Sequence, residues 1–399
     1  MTLTQSLPDI ETVRETDRQF LLQVYDRYPV VIAGGDGCYA LDAEGNRYLD
    51  AITGIGVNAL GYSHPRITRV LVEQAQQCIH TSNLFYNPYQ GELARRLCEL
   101  SGLDRAFFSN SGTEAMETAL KAVRAHGRSI HPRKTKLVAL HNSFHGRTFG
   151  SLAITGQPKY QQPFQPLAPH VTFVDVNDSA ALARAVTDDT AGVIVEPVLG
   201  EGGIYPLQPD FLQLAREIAT RHRALLVADE IQCGLGRTGK YFGYEGSGIQ
   251  PDIVVTAKPL AAGLPLGATL FNEQAAQVFS IGSHGSTFGG GPLACRVAIE
   301  FLSILDELLP DINAIAGQLR TGLDEIRRRS PIVTEIRSQG LMFGIQLSRP
   351  GNNLVLRALE RGLLLNCTHG TVLRLLPPYI LSSQQADQML AILNDVLKD

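Results

Sequence analysis

The sequence contains no CxxC pair and no cluster of several histidines and cysteines. Its six cysteines (Cys38, Cys78, Cys98, Cys233, Cys295 and Cys367) are scattered. Neither a metal site nor a disulfide framework is expected, and the thiols read as reduced and mostly buried. No apolar run is long enough to cross a bilayer. Charge of one sign never collects into a block: 35 basic residues against 39 acidic ones leave a net charge of −4. That balance gives no electrostatic case for binding nucleic acid or an anionic membrane. The first twenty residues lack an apolar centre and carry Asp9, Glu11, Glu15 and Asp17, unlike a secretion or transit signal. Internal repeats and low-complexity tracts are missing too. What remains is expected to be a globular, cytoplasmic chain. Its 399 residues are too many for one small core and should form a large domain plus a smaller one.

The most informative stretch runs from 223 to 258. An unbroken apolar run, 224–228, stops at Asp229-Glu230, and a second, 253–255, leads to Lys258. Short runs without alternation suit strands buried on both faces of a parallel sheet. Ligands of such sheets lie outside the carboxyl ends of the strands, so Asp229 and Lys258 are expected in one crevice. A lysine in a partly desolvated site loses part of its preference for the ammonium form and can attack a carbonyl, while a nearby carboxylate can hold a proton on a ring nitrogen. Pyridoxal phosphate needs both groups. Taken alone, Asp229 could equally cap a helix and Lys258 be a solvated loop charge. The rest of the chain decides.

The segment 30–50 reads as a small meander with turns at Gly34-Gly35 and 44–46, followed by helices at 65–79 and 89–101. His64, just before the first of these, reads as a loop residue. Next comes SNSGTEA (109–115), a strand-to-helix turn whose N–H groups and hydroxyls suit a phosphate, or simply cap a helix. A strand at 137–142 delivers Phe144, able to stack on a planar ring, and Arg147, able to grip a carboxylate with two parallel hydrogen bonds. A core aromatic beside a surface arginine is the alternative. Strands at 171–176 and 192–195 alternate with helices at 178–186 and 209–222, which gives a mostly parallel α/β sheet. After a helix at 293–308 the pattern changes, from about Leu309, to helices and short strands, taken as the smaller domain. There Arg374 stands in an apolar strand before a double proline, and needs a partner if it is buried.

Together, SNSGTEA (109–115), SFHGRT (143–148), TGQPKY (155–160), EPVLGEGG (196–203), ADEIQCGLGRTG (228–239), TAKPLAAGLPLGA (256–268), HGSTFGG (284–290) and LRLLPP (373–378) resemble the class III, or ornithine-type, pyridoxal phosphate-dependent aminotransferases. The resemblance extends from about Tyr25 to the C-terminus. It implies an α/β protein of fold type I among pyridoxal phosphate-dependent transferases. Its large domain, 53–308, would hold a mostly parallel mixed sheet, and both chain ends, 1–52 and 309–399, would form a smaller α+β domain.

The resemblance also assigns roles. Lys258 would join the aldehyde of pyridoxal 5'-phosphate and later move the substrate proton, and Asp229 would pair with the pyridinium nitrogen. Gln232 would contact the phenolic oxygen, Phe144 would stack on the ring, and Ser111, Gly112 and Thr113 would cradle the phosphate. Thr287 would complete the phosphate site of the neighbouring subunit, which implies a homodimer. Arg147 and Tyr25 would hold a substrate carboxylate. Arg374 would hold the α-carboxylate of glutamate, with Glu201 as its alternate partner. Ile55 falls where ornithine-specific members carry a tyrosine. The implied activity moves the δ-amino group of N2-acetyl-L-ornithine to 2-oxoglutarate by a ping-pong route. Succinylornithine, ornithine, γ-aminobutyrate and N2-acetyl-lysine are the alternative amines. Leu199 and Gly291 depart from the family pattern, which usually has Gln and Asn there.

Overall fold

A computed structural model describes residues 9–398. Its centre is a seven-stranded sheet. From one edge the strands are Arg105–Ser109, Gly267–Phe271, Ile253–Thr256, Leu225–Asp229, Thr190–Val195, Lys136–Leu140 and Val171–Val174. Gly267–Phe271 is antiparallel to both of its neighbours, and every other pairing is parallel. Side chains alternate across this sheet. Val138, Leu140, Val193, Val195 and Leu226 pack on one side against Phe211, Leu212 and Ala215 of the helix Pro209–Arg221. Leu137, Ala139, Ile194, Leu225, Val227, Ile253 and Val255 pack on the other against Ala115, Met116, Ala119 and Val123 of the helix Gly112–Ile130. Burial on both faces is why the strands read as unbroken apolar runs, and each fully buried Val, Leu or Ile contributes roughly 1.5–3 kcal/mol.

Two smaller sheets flank this core. One is antiparallel, in the order Val333–Gln339, Met342–Leu347, Val372–Leu375 and Asn366–Thr368, and it carries Arg374. The other joins the two ends of the chain, because Leu363–Leu364 pairs in parallel with Arg47–Asp50 of the early meander. A hairpin, Val198–Leu199 with Tyr205–Pro206, frames the turn that bears Glu201.

Three local readings are corrected. Gly34-Gly35 make no turn. They lie inside the strand Ile32–Asp36, where a Cβ on Gly35 would sit 2.2 Å from the Tyr62 ring, so the glycine serves close packing; Gly37, at φ +53°, turns the chain. The strand Gly267–Phe271 had not been assigned. The change of pattern expected at Leu309 is absent too, since one helix, Pro292–Arg329, runs through that position with Pro310 inside it. The six cysteines are free thiols, three buried, two half-buried and Cys78 exposed. Among the described residues no helix is long and apolar enough to cross a membrane.

Candidate active site

The carboxyl ends of the parallel strands converge on a cavity of about 370 Å³, within the usual size range for a small-ligand site. Its wall includes Ser111, Gly112, Thr113, Phe144, Arg147, Glu196, Glu201, Asp229, Gln232 and Lys258. Asp229 ends its strand, Lys258 follows Thr256, and Glu196 follows Val195.

Ser111 caps the helix Gly112–Ile130, its hydroxyl accepting from the Glu114 N–H at 3.3 Å. The partial positive charge of the helix start thus faces the cavity. Thr113 Oγ1 lies 2.9 Å from Thr148 Oγ1 and 2.7 Å from Ser151 Oγ. Glu117 gathers this corner by accepting from the Gly150 and Ser151 N–H groups, at 2.9 and 3.0 Å, and from the Thr148 hydroxyl. The loop can close this tightly because position 146 is glycine. Its φ is +134°, and a Cβ there would come within 2.2 Å of Thr113 Oγ1.

Asp229 is buried. Its Oδ2 lies 2.7 Å from His145 Nδ1, and its Oδ1 accepts from the Ile231 N–H at 3.0 Å. Burial alone would lower the His145 pKa, but the hydrogen bond and charge of Asp229, with Glu196 behind it, raise it above the ordinary imidazole value. His145 Nε2 is buried and has no hydrogen-bond partner among the described residues. Glu196 accepts from the Phe144 N–H at 2.8 Å and the Gly200 N–H at 3.0 Å, so it ties the loop bearing Phe144 to the turn bearing Glu201. Burial pushes the Glu196 carboxyl upward. Burial likewise lowers the Lys258 pKa, and the Arg374 charge adds to this, while Glu201, Asp229 and Glu196 oppose it. The amine is more easily uncharged than a solvated one.

Arg374 is buried and does not itself line the cavity. It is ion-paired with Glu201, and its Nε also donates to Asn366 Oδ1 at 3.3 Å. Burial would raise the Glu201 pKa, but the charges of Arg374 and Lys258 hold the carboxyl below its ordinary value. Gln232 sits between them, with Nε2 3.4 Å from Glu201 Oε1 and Oε1 3.4 Å from Arg374 Nη1. Arg147 makes no hydrogen bond or ion pair among the described residues and lies over the rings of Tyr160 and Phe144.

Besides Arg374, three residues named from the sequence are not on the cavity wall. Tyr25 is 72% exposed and Thr287 is also at the surface. Ile55 is exposed at φ +63°, next to Gly56, whose missing Cβ would lie 4.0 Å from Lys258 Cδ. Leu199 is buried in the apolar core, not in this cavity. His145, Glu196 and Glu117 had been given no role. An acid directly after an apolar run, the signal that found Asp229, also marks Glu196. Nothing local marks Glu117.

Beside the site, Glu230 is fully buried and accepts from the Gly243 N–H at 2.9 Å and the Tyr244 N–H at 3.0 Å. Burial pushes its pKa up from 4.5 to about 7. The folded protein keeps this proton where the unfolded chain has released it. Its contribution to stability is therefore complete below pH 4.5 and lost as the pH rises through about 7. Glu230→Gln, which cannot titrate, should gain stability relative to the parent across that window, by at most about 1.4 kcal/mol per pH unit. Urea denaturation at several pH values measures this, and a constant difference between the two proteins contradicts it.

The donor set fits pyridoxal 5'-phosphate: a helix start with hydroxyls for the phosphate, an amine for the aldehyde, a buried acid for the ring nitrogen and an aromatic ring for its face. Fold and site together define a pyridoxal phosphate-dependent transferase. Residues 22–397 match the family Aminotransferase class-III, and the chain belongs to that family. It is 42% identical to an acetylornithine aminotransferase of Aquifex aeolicus over 95% of this chain and 100% of that protein. Among solved structures, the acetylornithine aminotransferase of Elizabethkingia anophelis superposes with a TM-score of 0.89 at 32% identity, covering 98% of this chain and 99% of that one. The ornithine aminotransferase of Toxoplasma gondii, crystallised with partial occupancy of PLP at its active site, gives 0.93 at 32% identity, covering 98% and 94%. This protein is a pyridoxal phosphate-dependent aminotransferase.

Proposed function

We propose that this aminotransferase moves the δ-amino group of N2-acetyl-L-ornithine to 2-oxoglutarate. The products are N-acetyl-L-glutamate 5-semialdehyde and L-glutamate, formed in two ping-pong half-reactions within cytoplasmic arginine biosynthesis. The observation that carries the reading is the pair of arginines around one lysine. Arg147 is free, whereas Arg374 is held by Glu201.

A substrate with one carboxylate would take Arg147, aided by Tyr25, and leave the Glu201–Arg374 pair closed. Glutamate and 2-oxoglutarate, with a second carboxylate near the reacting carbon, would displace Glu201 and take Arg374. Ile55 has an aliphatic side chain where ornithine-specific members carry a tyrosine, which fits an acylated substrate and γ-aminobutyrate alike. Ser111, Gly112 and Thr113 would hold the cofactor's phosphate, Phe144 its ring face, Gln232 its phenolic oxygen and Asp229 the proton on its ring nitrogen. When bound, the cofactor supplies an electron-poor ring that accepts the electron pair left by a breaking C–H bond. Lys258 Nζ would hold the cofactor through its aldehyde, and it is also the base placed to move a proton at the substrate's amine-bearing carbon. Asp229, with His145 against it, keeps a negative charge where the ring nitrogen needs one.

Relative kcat/KM across acetylornithine, succinylornithine, ornithine, γ-aminobutyrate and N2-acetyl-lysine, read by glutamate formation, tests the substrate. Acetylornithine should lead the panel; an equal or better rate with ornithine or γ-aminobutyrate rejects it. The active form is a homodimer in which Thr287 reaches the neighbouring phosphate site. Supporting this, Leu84, Phe85, Tyr86, Ile281 and Phe288 are exposed. Asn83 Nδ2 donates to the carbonyls of Ser286 at 3.0 Å and Gly289 at 3.1 Å, which binds these two segments into one surface. Apolar surface of this kind usually meets a partner. Sedimentation of the holoprotein should give twice the chain mass, and a monomer at assay concentration contradicts the dimer.

A further inference from the structure

The motif TGQPKY, singled out above, has no part in the roles assigned so far. The structure shows it as a tightly anchored turn packed against Arg147 and Phe144, which line the cavity. Gln157 Nε2 donates to the Ser143 carbonyl at 3.3 Å. Gln161 Nε2 donates to the carbonyls of Leu152, Ala153 and Thr155 at 3.1, 3.1 and 2.9 Å. The Tyr160 N–H donates to the Gln157 carbonyl at 3.0 Å. What this anchoring presents is the ring of Tyr160. Arg147 Cζ lies 3.7 Å from its centroid and 5.4 Å from that of Phe144. The two rings meet edge to face, with centroids 6.1 Å apart and an interplanar angle of 84°.

We propose that Tyr160 is a positioning residue for substrate recognition, holding the Arg147 guanidinium at the cavity so that its N–H edge stays free for a carboxylate. The inference rests on the reading of Arg147 given above. An arginine near a cavity needs some attraction to keep it from straying into water, and a carboxylate would occupy the donors the substrate requires. The face of an aromatic ring supplies attraction without taking those donors. The contrast with Arg374 is chemical. Arg374 is held by the acid Glu201 and must be released before it binds, whereas Arg147 is held by a ring and is always available. Lys159 Nζ, 4.6 Å from the same centroid, adds a second positive charge near the arriving carboxylate. The edge contact with Phe144 further ties the position of Arg147 to the aromatic assigned to the cofactor's face.

The test compares Tyr160→Leu, Tyr160→Phe and Arg147→Gln holoenzymes. Three readouts apply: kcat and KM with acetylornithine and 2-oxoglutarate, the inhibition constant of glutarate, and the half-reaction with butane-1,4-diamine, which has no carboxylate. Tyr160→Leu should raise KM and the glutarate constant about tenfold, within the range of a cation–π contact, and leave kcat and the diamine nearly unchanged. Tyr160→Phe, which keeps the ring, should behave as the parent. Unchanged constants in Tyr160→Leu overturn the proposal, as does an equal loss with the diamine, the sign of a merely structural role. If Arg147→Gln weakens glutarate binding while Tyr160→Leu does not, only the Tyr160 inference fails. If Arg147→Gln is also without effect, the reading of Arg147 fails with it.

Discussion

Lys258→Ala should lose turnover by at least about 10⁴-fold, because one substitution removes both the covalent anchor and the proton-transfer base. Among the described residues Lys258 is the one lysine on the cavity wall, so no second amine there is placed to substitute for it. The variant should still retain the cofactor, since the helix start at Ser111, the Phe144 ring and Asp229 are untouched. Steady-state glutamate formation by the purified variant measures the loss, and the parental rate would contradict the assignment. Loss of activity together with loss of fold would be uninformative, so the variant's thermal unfolding must match the parent's. A match is expected, because the lysine is only half-buried at the cavity edge.

Asp229→Asn should be the next most damaging change. The amide keeps the size of the side chain and can still accept from His145 Nδ1, but it carries no charge to hold a proton on the cofactor's ring nitrogen. Loss of one preorganised electrostatic partner costs roughly 10²–10³-fold in kcat. Cofactor retention should weaken as well, visible as faster loss of bound pyridoxal phosphate on dialysis. His145 should report the same change, since Asp229 is the main influence raising its pKa against burial; the variant's imidazole should titrate lower by NMR. A variant within a few-fold of the parent in rate and retention would remove Asp229 from the mechanism.

The parts of the fold that were legible were those where local chemistry and tertiary environment agree. The run 224–228 is apolar because both faces of its strand are covered, and it ends at an acid because the strand ends at the cavity. Gly267–Phe271 was not read because its few residues begin with glycine, which weakens any strand pattern. The helix Pro292–Arg329 was read as ending at 308, next to Pro310; proline ordinarily breaks a helix, and here tertiary packing overrides it. At the site, the pairing of His145 with Asp229 joins residues 84 apart in the chain, a contact that no spacing rule encodes. Arg374 could be flagged as a buried cation in need of a partner. The resemblance named Glu201, and the geometry places the two in contact. The role of Tyr160 has no local sequence signal, because a ring over a guanidinium is a relation in space.

The claim on which the rest depends is that the side chain of residue 258 carries the cofactor. Borohydride reduction of the holoenzyme, followed by proteolysis and mass mapping, tests it most directly. The account predicts a single pyridoxyl phosphate adduct on the peptide containing Lys258, absent from Lys258→Ala. An adduct confined to another lysine, or an unmodified Lys258 in fully active holoenzyme, would contradict it.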